Sequence, residues 1–293
     1  MRQKPSNESS SIPRLSVVIV NYLAYVPLAN CLESLTQFVP AVDVVVVDHQ
    51  TQEEHVGRLT ARFPHVQFLP IAANPGFAAG VNRGVSATTA EYVLLLNPDC
   101  IVSSDPRPLA SWLANHPEGA VCGALVREAD GSMQASARRF PGVTTGLAGR
   151  TTWLTRLWPD NPWTMGNLVR GLPGEPIEVD WVSGACTMIR RDAFAAVGGM
   201  DEQFFLYWED ADLCRRLNQA GWKTYYHPGV TVTHLTGQSS QHARKASLVA
   251  FHQSAYRYYR KHGNRLLAPF AFLALQARLR LKLAMLPSVD RGR

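Results

Sequence analysis

No glycine follows the first apolar strand of this 293-residue chain, which runs from Leu15 into "VNYLAYVPL". That excludes the G-x-G-x-x-G turn of a dinucleotide-binding fold. A G-x-x-x-x-G-K-[ST] loop and a G-x-S-x-G elbow are also missing, which sets aside P-loop enzymes and the usual serine hydrolases. The five cysteines, Cys31, Cys100, Cys122, Cys186 and Cys214, are odd in number and scattered, with no C-x-x-C pair. They imply reduced thiols in a cytoplasmic protein, with neither a disulfide frame nor a zinc site. The polar start, "MRQKPSNESSSIPR", has no apolar run of the signal-peptide kind. Residues 1–13 are expected to be disordered, and no internal repeat is found.

Acidic residues are scarce at one end. From Arg244 onward there are eleven Lys and Arg against a single acid, Asp290, although the whole chain carries only +6. The body is therefore mildly acidic. This argues against a nucleic-acid-binding core and points to one basic surface facing anionic lipid. With 46% hydrophobic and 18% charged residues, the chain is long enough for one large α/β domain and an appendage.

Apolar β-branched runs read as buried parallel strands at Leu15–Val20, "VDVVVVDHQ" (42–50), a short segment in "VQFLPI" and "EYVLLLNPDC". A helical pattern covers Pro27–Phe38. The alternation predicts a mostly parallel sheet with helices on both faces. Residues 131–178, rich in Gly, Pro, Trp and Arg, read as a long mobile excursion. Beyond it come a strand into Gly184-Ala185-Cys186, a second strand from Thr187, a helix from Asp192, a helix over 206–220, and a strand pair around His227-Pro228-Gly229. Asn21, Asp48, Asn74, Asn97 and Asp99 collect past the carboxyl ends of the strands, the edge where open α/β sheets bind ligands.

The stretch "FFLYWEDADLCRRL" sets three acids behind aromatics. At about 100° per residue, Leu206, Leu213, Leu217 and Ala220 share one arc and Asp210 falls inside it. Glu209 lies at the margin of that arc. Asp212 falls opposite, reading as a surface acid paired with Arg215 or Arg216. An acid on a buried stripe is costly unless it is paired or used. The alternative is that Asp210 merely caps the helix. Asp99 and His234 offer one hard oxygen and one imidazole, which with diphosphate oxygens and water suit Mg²⁺ or Mn²⁺. With Asp210 as general base, the set points to group transfer from a nucleotide diphosphate.

The ordered motifs "SVVIVNYLAYVPLANCLESL", "VVVVDHQ", "NPGFAAGVNRG", "YVLLLNPD", "WVSGACTMIRRDAFAAVGGMDEQFFLYWEDADLCRRL" and "THLTGQSS" span about 14–240. The chain resembles glycosyltransferase family 2, inverting enzymes of the GT-A fold, and within it the rhamnosyltransferase-like members of bacterial cell-wall and surface-polysaccharide synthesis. The resemblance implies a domain over 14–240; beyond it, residues 241–293 read from their charges and apolar run as a basic amphipathic helical extension. It implies Asp48 on the donor base, and Asn21, Asn74, Gly76, Phe77, Gly80 and Asn82 around the nucleotide and sugar. Asn97 and Asp99 stand where the family has D-x-D, so only Asp99 keeps a charge for a metal, with His234 completing metal or diphosphate binding. Asp210 matches the family's base, Glu209 would contact substrate hydroxyls, and Trp181, Gly184 and Trp208 would shape the acceptor side. "VVVVDHQ" departs from the more usual Asp-Asn-x-Ser, leaving His49 and Gln50 without an implied role. The favoured donor is dTDP-L-rhamnose, with UDP- or GDP-sugars as alternatives. The implied acceptor is a glycan or a polyprenyl-diphosphate-linked glycan.

Two other classes remain open at this stage. A nucleotidyltransferase would need a Gly-rich loop with Lys or Arg after the first strand, which is missing. A non-catalytic nucleotide- or glycan-binding module would not need Asp99, Asp210 and His234 together. In the tail, the apolar core Leu266–Ala277 is too short for a bilayer of about 30 Å. It reads as an interfacial helix on the inner face of the cytoplasmic membrane, or as a helix packed on the catalytic domain or on a second subunit of a homodimer.

Overall fold

The computed structural model describes residues 13–141, 158, 174–235 and 244–286. The disorder expected before residue 13 and most of the excursion expected over 131–178 lie outside these residues.

The valine-rich runs form the parallel half of the sheet. β1 (Leu15–Tyr22), β2 (Asp43–His49), β3 (Val66–Ile71) and β4 (Tyr92–Leu96) lie side by side in the order β3-β2-β1-β4. Their crossovers are α1 (Tyr25–Phe38), α2 (Glu53–Arg62) and α3 (Phe77–Ser86). The chain continues through β5 (Cys100–Val102), α4 (Arg107–Asn115), β6 (Gly119–Glu128), β7 (Ala137–Arg138), β8 (Ile177–Val179), β9 (Trp181–Val182) and β10 (Cys186–Arg190). Then come α5 (Arg191–Ala196), α6 (Glu209–Gln219) and β11 (Lys223–His234). β10 runs antiparallel between β4 and β6, and β11 lies parallel to β6. β8 and β5 both pair antiparallel with β11, while β7 and β9 form a separate two-stranded ribbon.

Successive strand side chains point to opposite faces, and the core divides accordingly. Val17, Ile19, Val44, Val46, Leu94 and Leu96 face α1 and α4 through Leu28, Leu32, Leu35, Leu109 and Leu113. Val18, Val20, Val45, Val47, Val93 and Leu95 face α3, α5 and α6 through Val81, Val85, Phe194, Leu213 and Leu217. Two glycines four residues apart let α3 sit against the strands. A Cβ on Gly80 would stand 2.7 Å from Val20 Cγ1, and one on Gly84 would run into Val18 Cγ1. Gly84→Ala is expected to cost ~1–3 kcal/mol by overpacking. The check is a urea midpoint, and an unchanged midpoint would mean that the contact yields freely.

Three expectations change. The segment around His227-Pro228-Gly229 is one strand, not a strand pair. β11 bulges between His227 and Thr231 and trades β8 for β5 along one edge. The helix expected over 206–220 begins at Glu209, because Tyr207 and Trp208 adopt φ values of 66° and 70°. Trp208 is the N-cap, so Asp210 is not a cap and lies in the first turn. Asp212 is 0% exposed rather than a surface acid.

The C-terminal extension is a helical hairpin of α7 (Arg244–His262) and α8 (Ala268–Ala284), joined through a 3₁₀ turn at Arg265–Leu267. α7 packs on the catalytic body, with Phe251 and Tyr258 against Trp208. α8 buries Ala268, Ala271, Leu275 and Leu279 and leaves Phe270, Leu273 and Leu281 exposed. Among the described residues, no helix is long and apolar enough to cross a membrane.

Candidate active site

The ends of β1, β2 and β4 place the first group of polar residues. Strand register sets Asn21 opposite Asp48. The Asn21 amide donates to Asp48 Oδ1 at 2.6 Å, and the Tyr25 hydroxyl donates to Oδ2 at 3.0 Å. Asp48 and Asn21 are fully buried. Burial, reinforced by the Asp48 charge, pushes the Tyr25 hydroxyl up to about 12, which keeps it a donor. Asp48 therefore frames this corner from inside. His49 is also buried. Desolvation lowers its pKa against the opposing pull of Asn74 and Asp48.

The loop leading into α3 forms a joint with the segment before α6. Asn74 Oδ1 accepts from the Gly76 amide at 3.0 Å, and the Phe77 amide donates to Phe205 O at 2.8 Å. Gly76 has φ 102°, and a Cβ there would stand 2.6 Å from Phe205 O. Only glycine suits both constraints. Asn82 faces the same segment: its amide donates to Met200 O at 2.9 Å, and its oxygen accepts from the Met200 amide at 2.8 Å. Asn74, Gly76, Phe77 and Asn82 thus hold the 200–208 segment against α3, while Gly80 seats α3 on the sheet.

A second group lies where β4, β5, β10 and β11 meet. The Asn97 backbone N–H donates to Ala185 O at 3.0 Å. Asp99 is 5% exposed, and its Oδ1 lies 3.1 Å from His234 Nε2. Pairing of His234 with Cys100 across β11 and β5 sets this approach. On the other side of the imidazole, Gln134 Nε2 lies 3.3 Å from Nδ1 and donates to Glu128 Oε1 at 2.9 Å. Among the described residues, Asp99, Cys100 and His234 are the one trio of metal-type side chains within 4.8 Å of one another. The Cys100 thiol contributes little to such a site. It donates to Ala185 O at 3.3 Å, and burial raises its pKa well above the ordinary thiol range. Asp99 and His234 remain as one carboxylate and one imidazole, a fit for a hard divalent cation that also takes substrate oxygens.

The acids of α6 complete the site. Asp210 Oδ1 accepts from the Ala211 amide at 2.8 Å and Oδ2 from the Gly184 amide at 3.2 Å. Burial raises its pKa, and these amides and the charge of Arg138 oppose the rise only in part. Glu209 is 6% exposed, and its Oε2 has no hydrogen-bond partner. Burial, with Asp210 adding to it, raises its pKa well above the ordinary range. The next residue after Gly184 closes the circuit, because Ala185 O accepts from the Asn97 backbone N–H and the Cys100 thiol. Two consecutive residues thus connect Asp210 to the turn that bears Asp99. Tyr207 lies close enough to feel the charges of both Glu209 and Asp99.

On the expected acceptor side, Trp181 is buried and its indole donates to Arg139 O at 3.0 Å, with the Arg138 guanidinium 4.9 Å over its ring. A Cβ at Gly184 would meet nothing nearer than Phe77 Cε1 at 4.0 Å, so the space above it is open. Trp208 turns toward α7, 5.2 Å from Tyr258. Tyr25, Glu128, Gln134 and Arg138 were not foreseen. No periodicity or motif marks them; Gln134 lies in an irregular stretch and Arg138 in the two-residue strand β7.

The described family "Glycosyltransferase like family 2" matches residues 13–248. The chain is a family 2 glycosyltransferase. It is 34% identical over 257 residues to the N-acetylglucosaminyl-diphospho-decaprenol L-rhamnosyltransferase of Mycobacterium tuberculosis, covering 83% of this chain and 82% of that one. This rhamnosyltransferase-like glycosyltransferase shares its fold with the mannosyltransferase PcManGT from Pyrobaculum calidifontis, solved with GDP-Man and Mn²⁺. The TM-score is 0.59 at 15% identity, over 97% of this chain and 79% of that one. GalNAc-T7, solved with UDP, GalNAc and Mn²⁺, matches with a TM-score of 0.64 at 17% identity over 86% of this glycosyltransferase, which spans 48% of that chain. The GT-A architecture expected from the motifs is therefore the fold of the glycosyltransferase.

Proposed function

We propose that this glycosyltransferase moves L-rhamnose from dTDP-L-rhamnose, with inversion, to a hydroxyl of a glycan carried on a polyprenyl diphosphate. The observation that carries the reaction is the Gly184–Ala185 connection, which ties the Asp210 carboxylate to the Asn97–Asp99 turn. A base and an anion-leaving site within one cleft, able to flank a sugar, are what a single displacement requires. Asp210 takes the proton of the acceptor hydroxyl, whose oxygen attacks the anomeric carbon. The bond from that carbon to the diphosphate breaks on the opposite face, and its electron pair leaves with the diphosphate. Desolvation makes Asp210 a stronger proton acceptor, and its two amide donors fix its orientation. A divalent cation held by Asp99 and His234 would supply positive charge to the departing diphosphate.

The choice of sugar and acceptor rests on the mycobacterial relative, whose name specifies L-rhamnose and a diphospho-decaprenol-linked N-acetylglucosamine; dTDP as the carrier rests on the resemblance of the motifs. In a thermal-shift panel of dTDP-, UDP- and GDP-sugars, dTDP-L-rhamnose with Mn²⁺ or Mg²⁺ should give the largest rise in Tm, because a ligand of the folded state stabilises it. A larger rise with a UDP- or GDP-sugar would transfer the assignment to that donor.

A lipid-borne acceptor also gives the hairpin a purpose. Residues 244–286 hold no acid, and α8 exposes Phe270, Leu273 and Leu281, with Leu266 and Met285 flanking it. Apolar side chains among cations suit peripheral seating on the anionic inner face of the cytoplasmic membrane. Removing 266–293 should abolish co-sedimentation with phosphatidylglycerol vesicles, and retained sedimentation would leave the surface to a second copy of the chain.

A further inference from the structure

The segment that delivers Glu209 and Asp210 is strained. Tyr207 and Trp208, immediately before the pair, both lie at positive φ. For residues other than glycine, such a conformation is strained and persists only where its surroundings impose it. The surroundings here come largely from α7.

Ser254 Oγ on α7 donates to Leu206 O at 2.9 Å, one residue before the strained pair. Phe251 and Tyr258 pack on the Trp208 ring at 5.8 and 5.2 Å. At the end of α7, Lys261 Nζ reaches Asp212 Oδ1 at 2.8 Å and Asp201 Oδ2 at 2.6 Å. His262 Nε2 lies 2.7 Å from the same Asp212 oxygen, and Arg216 Nε donates to the other at 2.7 Å. Asp212 lies two residues past Asp210. Burial alone would raise its pKa, but the donors from His262, Lys261 and Arg216 outweigh burial and hold it at about 2. Arg257 also bonds Gln203. One helix therefore grips the 201–212 segment before, within and beyond its strained turn, while its Tyr256 packs on Phe272 of α8.

We propose that α7 is a positioning element for the catalytic base. Ser254 and the Lys261–His262–Asp212 cluster hold the backbone of 206–212 in the conformation that presents Asp210. The C-terminal extension is on this account part of the active site, not a detachable anchor. The inference rests on the reading of Asp210 as base. None of these α7 side chains has a place among the substrate-binding residues, so their effect should fall on turnover and not on donor affinity.

The test uses full-length Lys261→Met, Lys261→Arg, His262→Gln and Ser254→Ala, assayed with dTDP-L-rhamnose and an N-acetylglucosaminyl-diphospho-polyprenol. Misplacing a reacting group by about 1 Å can cost about 100-fold. Lys261→Met and His262→Gln are accordingly expected to lower kcat by ~10–100-fold with donor KM within about twofold. Lys261→Arg should recover most of kcat. Hydrogen exchange of backbone amides 206–212 should quicken about tenfold in the impaired variants while the β1–β4 amides stay protected. Ser254→Ala, which removes one hydroxyl, carries the same comparison should Lys261→Met fail to fold. Unchanged kcat and unchanged exchange across these variants, beside an inactive Asp210→Asn, would overturn the inference and leave the base assignment standing. An active Asp210→Asn would instead remove the base assignment. The exchange arm alone would then decide whether α7 holds the segment.

Discussion

Asp210→Asn is expected to keep donor binding and to lower kcat by about 10²–10⁴-fold, the usual contribution of a positioned general base. The substitution is nearly isosteric. The amide oxygen can still accept one of the two hydrogen bonds from Gly184 and Ala211, so the loop should stay folded. What disappears is the ability to take a proton. The measurement is a pre-steady-state and steady-state comparison of sugar transfer, with dTDP-L-rhamnose affinity followed by calorimetry. Turnover within a few-fold of wild type would sink the assignment. Glu209 is the natural rival, since it is the neighbouring buried acid and its Oε2 lacks a hydrogen bond. A Glu209→Gln variant run in parallel separates the two. A base gives loss of turnover, whereas a group that contacts a hydroxyl gives a change in acceptor KM.

Asp99→Ala should be nearly as severe by a different route. Asp99 supplies the carboxylate of the Asp99–His234 pair, so on the proposed reading its removal would leave an imidazole alone to hold the cation beside the diphosphate. Metal stabilisation of a leaving anion is worth several kcal/mol, and each ~1.4 kcal/mol is tenfold. A fall in kcat/KM of about 10²–10³-fold is therefore expected. Calorimetric binding of dTDP should lose its dependence on Mn²⁺ in the same variant, with wild-type protein as the reference. Should Asp99→Ala bind dTDP and Mn²⁺ with unchanged linkage, the cation site lies elsewhere.

The parallel half of the sheet could be read directly because Val17–Val20 and Val44–Val47 are buried on both faces, and such strands appear as unbroken apolar runs. β6, "GAVCGALVRE", escaped notice because its small residues dilute that signal. The acids and the histidine were legible from their order along the chain. Their second neighbours were not, because Gln134 and Arg138 reach the site through an irregular segment and a short ribbon. Asp212 was misread for a physical reason. A helical projection registers one apolar arc and assigns the opposite face to solvent, but α7 buries that opposite face with cations. The start of α6 was misplaced by the same kind of gap, since nothing local announces two left-handed aromatic residues that depend on a distant helix. In the hairpin, α7 packs on the body, as one of the two readings expected, and α8 keeps an exposed apolar side.

The bulge in β11 separates two measuring scales. Up to His227 the strand is indexed against Ala124 of β6, and from Thr231 it is indexed anew against Leu125; between them Val230 is anchored in the core, and Pro228 and Gly229 are the slack. The location of His234 is thus fixed by Cys100 and Glu128 beside it, not by a tally of residues from the start of the strand. Length changes at Pro228 and Gly229 can be absorbed there without turning the imidazole away from Asp99, giving the enzyme a spot where its outer rim can be rebuilt while the chemistry stays in phase.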